Sequence, residues 1–371
     1  PGKESAPKFN SPRTVMQLIK KHSKQMFTLL AGLCALVGTA TAADFPPAPA
    51  GTFSIAVIPD TQHYRGKGTK AEPGSSQPLS NRIFVTYVDW TAANLKQQRI
   101  AFVSHVGDIV DINNRPQWTL ARSIMDRLHG KVPYGISVGN HDMTAGGDSS
   151  LFQEVFPAKR FSQFDWYAGY YRKDSGKPSE SGNNANSCQL FSVGDLDFVF
   201  LHLECNAPDK VLDWADEMLK KYSQRRAIIT THMGLGPRKK PKTTDDFYTA
   251  PKGRMDWKKC HGKKGNTPQE MWEKSFQKHA NLFMICCGDQ SRTQALRQSV
   301  RGKNGNVVHE LLSDYGSNGM RVMRFVPQEN LIEVRTWNPL TRQFPTRTKT
   351  VRAADQHQFK LEYQMSSTQS R

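Results

Sequence analysis

Five apolar, strand-like runs in this chain each end in a short polar turn, and this recurrence constrains the fold more than any other feature. The turns are Asp60-Thr61-Gln62-His63, Gly107-Asp108-Ile109-Val110-Asp111, Gly139-Asn140-His141-Asp142, Thr230-Thr231-His232 and Gly288-Asp289-Gln290-Ser291. In α/β sheets, ligands bind at the carboxyl ends of strands. Asp, Asn, Gln and His gathered there are oxygen and imidazole donors for divalent cations. One Gly-Asp turn alone is more often structural than functional. Three Gly-Asp or Gly-Asn turns in order, with a histidine after a further strand, point to one shared site.

The runs between the turns indicate the architecture. Strand patterns cover 52–58, 100–106 and 132–138, and helical periodicity covers 80–98 and 116–129. That alternation predicts an α/β fold in which helices flank a buried sheet. Residues 143–186 break the pattern and are rich in Gly, Ser, Asn and aromatics, so they read as an insertion whose aromatic residues pack among themselves. A hairpin at 189–193 and 197–203, a helix at 209–222 and a strand at 226–230 follow. A second insertion, 236–266, holds ten basic residues against three aspartates, and a loop leaving His232 is expected to overhang whatever His232 binds. A helix at 268–279, a strand at 282–287 and antiparallel strands over 307–336 complete the domain, which is expected to run from 51 to 345. Residues 44–50 read as a Pro-rich linker and 346–371 as a polar tail.

Composition excludes several classes. A hydrophobic content of 37% with 7 Trp and 19 Phe supports a sizeable core, so the chain is not wholly disordered. No repeat, heptad run, Walker A loop or G-x-S-x-G elbow occurs. Six cysteines are too few for a disulfide-built miniprotein and lack zinc-knuckle spacing.

The N-terminal region reads as a secretory signal. Lys20, Lys21 and Lys24 precede the apolar stretch 26–38, and small residues follow to a cleavage point after Ala42 or Ala43. Met16 would open a signal of ordinary length, which makes 1–15 an expected translation artefact upstream of it. The expected location is therefore the periplasm or the extracellular space, with no stable membrane anchor after cleavage. The whole chain carries 51 Lys+Arg and 33 Asp+Glu, a net charge of +18, and removal of 1–43 leaves +13. Such a chain meets polyanions, membrane surfaces or phosphorylated substrates. Export permits disulfides: Cys188 with Cys205, and Cys260 with Cys286 or Cys287, are the expected pairs.

The order of the turns resembles the calcineurin-like metallophosphoesterase superfamily, whose pattern is D-x-H, GD-x-x-D, GNH-[DE], an isolated His and GH-x-H. Residues 107–111 and 139–142 match in full, and the resemblance spans about 52–345. Asp60-Thr61-Gln62, Asp289-Gln290 and Asp314-Tyr315-Gly316 are similar to a secreted bacterial subgroup. The resemblance implies a sandwich of two mixed β-sheets flanked by helices. It implies a hydrolase in which Asp108 bridges two metal ions, Asp60 holds the first, and Asn140, His232 and Asp289 hold the second. His141 is then a general acid or electrostatic stabiliser at the leaving-group oxygen, oriented by Asp142, while metal-activated water attacks a phosphomonoester or phosphodiester.

Two departures from that pattern bear on the cofactor. Gln62 stands where the family has its first His, and Asp289 and Ser291 stand for the final pair. The first metal is left with Asp60, Asp108, Gln62 and the weak donor Ser291; His63 is a less favoured substitute because adjacent side chains usually point apart. An oxygen-rich set favours Mn²⁺, Mg²⁺ or Ca²⁺ over Zn²⁺, with Fe²⁺ unresolved, and one tightly held and one labile metal are expected. His105, His202, Glu204 and His309 read as structural, and Asp314 and Asn318 as residues near the site. The alternatives are a degenerate member that binds a metal or polyanion without turnover, and a nuclease or nucleic-acid-binding protein.

Overall fold

In the computed structural model, the structure describes Gly2 and residues 45–172 and 181–365. The expected signal segment, residue 44, residues 173–180 of the first insertion and the end of the tail lie outside these residues. Every element named below lies after Ala43.

The first half contains β1 (Phe53–Ile58), α1 (Arg82–Asn94), β2 (Ile100–His105), α2 (Arg115–Met125) and β3 (Tyr134–Ile136). The first insertion forms α3 (Ser150–Val155), α4 (Ala158–Phe161) and β4 (Tyr167–Tyr170). Then come β5 (Ser187–Val193), β6 (Leu196–Leu203), α5 (Asp209–Lys221) and β7 (Arg226–Met233). The second insertion carries β8 (Leu235–Pro237), α6 (Asp246–Thr249) and β9 (Lys252–Arg254), and α7 (Pro268–Lys274) and β10 (Leu282–Gly288) follow. The chain closes with β11 (Ala295–Arg301), β12 (Val307–Ser313), β13 (Met320–Val326), β14 (Leu331–Trp337) and β15 (Gln358–Glu362).

Two large mixed sheets form, ordered β15-β14-β13-β1-β2-β3 and β11-β12-β10-β7-β6-β5-β4. Strand alternation separates their faces. Phe53, Ile55 and Val57 of β1 point inward, where they meet Phe198, Phe283 and Phe325. Phe53 stacks on Phe325 at 4.7 Å and Phe191 on Phe198 at 4.8 Å. Such offset aromatic pairs add about 0.5–1.5 kcal/mol each beyond their burial. Ala56 and Ile58 face the other way, into a layer built with Phe84, Tyr87 and Val88 of α1 and Trp118 and Ile124 of α2. Val211, Leu212 and Leu219 of α5 and Met271 and Trp272 of α7 cover the outer face of the second sheet. The result is a sandwich of two sheets flanked by helices.

Several expectations need correction. The strands within 307–336 do not form one antiparallel set. β12 lies in the second sheet, parallel to β10, whereas β13 and β14 belong to the first. The stretch read as a polar tail contributes β15, antiparallel to β14, with Leu361 and Met365 buried in the inner core. The Pro-rich stretch is anchored by Phe45, which packs on Trp90 and Trp337. Cys188, Cys205, Cys260, Cys286 and Cys287 are all free, buried thiols, so neither expected disulfide is present. Cys205 instead has Cys260 as its sulfur neighbour. The aromatics of the first insertion pack partly among themselves, with Phe164 stacked on Trp166 at 5.1 Å, and partly on α2, with Phe152 and Phe156 edge-on to Trp118.

Helix caps tie this scaffold to the turns. Asn81 caps α1 by accepting from the Phe84 amide at 3.0 Å, and its Nδ2 donates to the Thr61 carbonyl at 2.6 Å. Gln117, in the first turn of α2, accepts from the amides of Asp111 and Ile112 at 2.8 and 2.9 Å. Asn81→Ala is expected to lower unfolding stability by about 1–2 kcal/mol, combining cap loss with a freed turn carbonyl. Urea denaturation of metal-free protein checks this, and no loss would show that the cap does not brace the first turn.

Candidate metal centre

β1, β2 and β3 run parallel in one sheet, and β6, β7, β10 and β12 run parallel in the other. Their carboxyl ends open at one edge of the sandwich, and the polar turns converge there. The turns nest because two glycines have no Cβ. A Cβ on Gly139 would lie 2.1 Å from Asp108 Oδ1, and one on Gly288 would lie 2.1 Å from Asp60 Oδ1. Asp108 and Asp289 both adopt the left-handed backbone region, at φ of 49° and 74°. Strain of this kind in a non-glycine residue persists where a site requires it.

Asp60, Asp108 and His232 offer ligand atoms that all lie within 4.8 Å of one another. All three are buried, as are Asp289 and Asp314. The Nδ1 of His232 pairs with the Val106 carbonyl at 2.9 Å, which leaves Nε2 facing Asp108 Oδ1 at 3.2 Å and Asp289 Oδ1 at 3.6 Å. A backbone partner of this kind sets the tautomer and orientation of a ligating histidine. Asp108 Oδ1 also accepts from the His141 amide at 2.9 Å, and its Oδ2 accepts from Gln62 Nε2 at 3.1 Å. Asp60 Oδ2 accepts from the Asp289 amide at 3.1 Å. Asn140 borders Asp289; with its amide turned to donate, Nδ2 lies 2.6 Å from Asp289 Oδ1.

The electrostatics are those of a crowded, buried anionic cluster. Burial, then the Asp314 charge, pushes the Asp60 carboxyl well above its ordinary range. Burial, with Asp108 and Asp289 adding to it, pushes Asp314 up to about 7. Burial also acts on Asp108, but the charge and hydrogen bond of His232 outweigh it and hold that carboxyl at about 2. His232 is correspondingly raised well above an ordinary imidazole: burial opposes its charge, but Asp108 and Asp60 favour it more. Crowded carboxylates cannot all ionise without a compensating charge. Asp60 Oδ1 and Asp314 Oδ2 are buried with no hydrogen-bond partner among the described residues. The donor set and these bare oxygens fit a divalent, oxygen-preferring ion.

The structure brings Asp60, Gln62, Asp108, Asn140, His232 and Asp289 together and excludes others. Ser291 is exposed, and His63 is exposed with Nε2 against Gly316. His141 borders the cluster with its side chain 30% exposed. Asp142 does not orient it, contrary to expectation. The fully buried Asp142 carboxylate instead accepts from the amides of Val110 and Gly139 at 3.1 and 2.8 Å, tying two turns together. The group on His141 Nδ1 is the Asp111 carbonyl at 2.8 Å. His105, His202 and His309 are engaged in structural hydrogen bonds, as expected. Glu204 accepts from Asn186 at 3.0 Å.

Two lysines complete the rim. Lys259, from the basic insertion, bonds Asp289 Oδ1. It is held there because Asn206 Oδ1 accepts from the amides of Lys259 and Cys260 at 2.9 and 3.2 Å. Lys70 donates to Asp111 Oδ1 at 3.0 Å and lies 3.3 Å from His141 Nδ1. Nothing in the sequence singles out Lys70, which sits in a Gly-rich loop with no periodic pattern.

The model of the calcineurin-like phosphoesterase family matches residues 53–259. The uncharacterized protein YvnB of Bacillus subtilis is 25% identical over 309 residues, which is 80% of this chain and 20% of that one. The chain thus spans about a fifth of the length of that relative. A dimetal phosphatase from Danio rerio aligns at a TM-score of 0.45 with 14% identity, over 79% of this chain and 97% of its own. The calcineurin-like phosphoesterase YfkN from Bacillus subtilis aligns at 0.42 with 11% identity, over 84% and 96%.

Metal uptake should release protons. His232 must be neutral to bind a metal, and Asp60 and Asp314 must be ionised, yet all three are raised in the metal-free protein. Mn²⁺ affinity should therefore rise with pH through the range in which these groups lose their protons. Calorimetry in two buffers of different ionisation enthalpy measures the release, and pH-independent affinity would contradict the assignment. Gly139→Ala, which pushes on Asp108, should weaken Mn²⁺ binding about 10–100-fold.

Proposed function

The chain belongs to the calcineurin-like phosphoesterase family, and from that premise we propose that it is an exported, metal-dependent phosphoesterase acting on phosphomonoesters or phosphodiesters. The observation that carries the reading is the convergence of Asp60, Asp108 and His232 at strand ends contributed by both sheets. Export rests on the secretory pattern of 16–43, and membership of a secreted bacterial subgroup rests on the Asp60-Thr61-Gln62 and Gly288-Asp289-Gln290 turns. Among the described residues no helix is long and apolar enough to cross a membrane. In domain terms we propose a signal segment, a short linker, one phosphoesterase domain with two insertions, and a C-terminal stretch.

Asp60, Asp108, Asn140, His232 and Asp289 would hold divalent metal, with Gln62 positioning Asp108. Hard ions such as Mn²⁺, Mg²⁺ or Ca²⁺ suit this set. Bound metal supplies Lewis-acid polarisation of the phosphoryl oxygens and lowers the pKa of water. The chain's own groups do the rest. The Asp111 carbonyl takes Nδ1 of His141 and leaves Nε2 to hold or deliver a proton at the leaving-group oxygen. Asp142 positions His141 only indirectly, by fixing the Gly139 turn. Lys70 and Lys259 place positive charge on two sides of the centre, where an anionic ester arrives.

A nucleic-acid-binding role is less supported, because much of the basic insertion is already engaged. Lys239 pairs with Asp256, Arg254 with Glu310 at 2.6 Å, and Lys252 bonds the carbonyls of Phe247 and Ala250.

Hydrolysis of an aryl monophosphate and a bis-aryl phosphodiester by chelator-stripped protein, reloaded with single metals, tests the proposal. Turnover should return with a hard ion and vanish in Asp108→Ala. His141→Ala should lower kcat by about 10²–10⁴ while leaving metal content intact. Folded, metal-loaded protein without turnover would instead mark a degenerate, binding-only member.

A further inference from the structure

The hydrogen-bond state of each carboxylate oxygen divides the centre into two unequal sides. On the side of Asp60 and Asp314, oxygens are left bare. Asp60 Oδ1 and Asp314 Oδ2 have no partner among the described residues, although both residues are buried, 1% and 3% exposed. Asp314 also lies within hydrogen-bonding reach of Asp60. Two buried carboxylates in contact must share a proton or a cation, because neither has a donor to offer when both are ionised. On the side of Asn140 and Asp289, the oxygens are satisfied by the chain. Lys259 takes Asp289 Oδ1, and Gln290 Nε2 takes Oδ2 at 2.7 Å. Asn140 is likewise engaged, with Nδ2 2.6 Å from Asp289 Oδ1 and its oxygen 3.3 Å from the His141 amide.

We propose that this centre holds a single divalent ion between Asp60, Asp108, His232 and Asp314, and that Lys259 stands as a built-in cation in place of a second metal. The inference rests on the phosphoesterase reading above, departs from a two-metal centre, and replaces Asn140 and Asp289 by Asp314 in the ligand set given there.

Topology explains how Asp314 reaches the site. β12 lies beside β10 in parallel register, with Leu312 opposite Cys287. Two residues beyond each partner stand Asp314 and Asp289, so both carboxylates emerge from adjacent strand ends. Asp314 thereby supplies the ligand that the exposed Ser291 fails to provide. Gln62 does not fill that place, because its amide nitrogen is turned to Asp108 Oδ2. The position of Lys259 is equally determined by the fold. Asn206 fixes the backbone at Lys259 and Cys260 with one oxygen, and Cys260 is buried against Cys205. An ammonium fixed to the chain cannot be removed by a chelator, and it brings one positive charge where a metal would bring two. Its side chain is 34% exposed, which leaves part of the ammonium facing the open side of the centre.

Mn²⁺ titration calorimetry and metal analysis on the chelator-stripped full chain decide the matter without reference to turnover. Wild-type protein should take up one equivalent. Asp314→Asn, which keeps the shape and removes the charge, should bind that equivalent at least about tenfold more weakly. Lys259→Met should gain a second equivalent, because it frees Asp289 Oδ1. Two equivalents in the wild type would overturn the proposal, as would Asp314→Asn binding like wild type. Lys259→Met remaining at one equivalent would overturn the role of the lysine. The first two of these results, accompanied by metal-restored ester hydrolysis, would leave the phosphoesterase reading standing. No metal uptake by folded wild-type protein would remove both. The wild-type stoichiometry keeps the test decisive if a variant fails to fold.

Discussion

Buried negative charge at the junction of the two sheets sets the terms for the rest of the structure. Asp60, Asp108, Asp289 and Asp314 all lie out of water within one cluster. Holding such groups together costs several kcal/mol each unless hydrogen bonds and cations compensate. The surroundings supply both. Backbone amides of His141 and Asp289, the Gln62 amide, the His232 imidazole and the Lys259 ammonium each take one carboxylate oxygen. The scaffold has to keep these contacts from relaxing, and the aromatic layer between the sheets, with Phe53, Phe198, Phe283 and Phe325, is the rigid body on which the turns are mounted.

The parts of this arrangement that follow short-range rules were legible in the sequence. Strand ends carrying Gly-Asp and Gly-Asn are local signals, and the five turns do meet at one edge. The second-sheet strands and helices are also near their expected positions. What required the third dimension was partnership. The Gln358–Glu362 strand has an alternating pattern, but it is short and set in polar sequence, and only pairing with β14 gives it a place. The family resemblance implies that Asp142 orients His141. The turn sends the two side chains to different partners, so the Asp111 carbonyl fills that role. The cysteine pairings failed for a similar reason: β5 and β6 form a hairpin, yet Cys188 sits opposite Leu201 rather than Cys205. Asp314 carried a faint signal through its turn, whereas Lys70 carried none.

The second insertion changes character once its contacts are known. By composition it is a basic loop suited to any polyanion. In the fold, its cations are largely committed to carboxylates and carbonyls, and one of them enters the ligand cluster itself. Its net charge therefore says less about a partner. The first insertion likewise extends the layer around α2, with Arg115 and Arg122 reaching across to Glu154 and the Val155 carbonyl.

The ligand cluster is divided between the two sheets, since Asp60, Asp108 and Asn140 follow strands of one and His232, Asp289 and Asp314 belong to the other. A cation bound there acts as a rivet through a seam. Any motion that parts the sheets at this edge also breaks the coordination, so occupancy and seam closure become one equilibrium. By linkage, an ion at 100 times its dissociation constant adds about 2.7 kcal/mol to the closed form. The fold and its cofactor would then protect each other: a sandwich that stays shut retains its ion, and a retained ion keeps the sandwich shut.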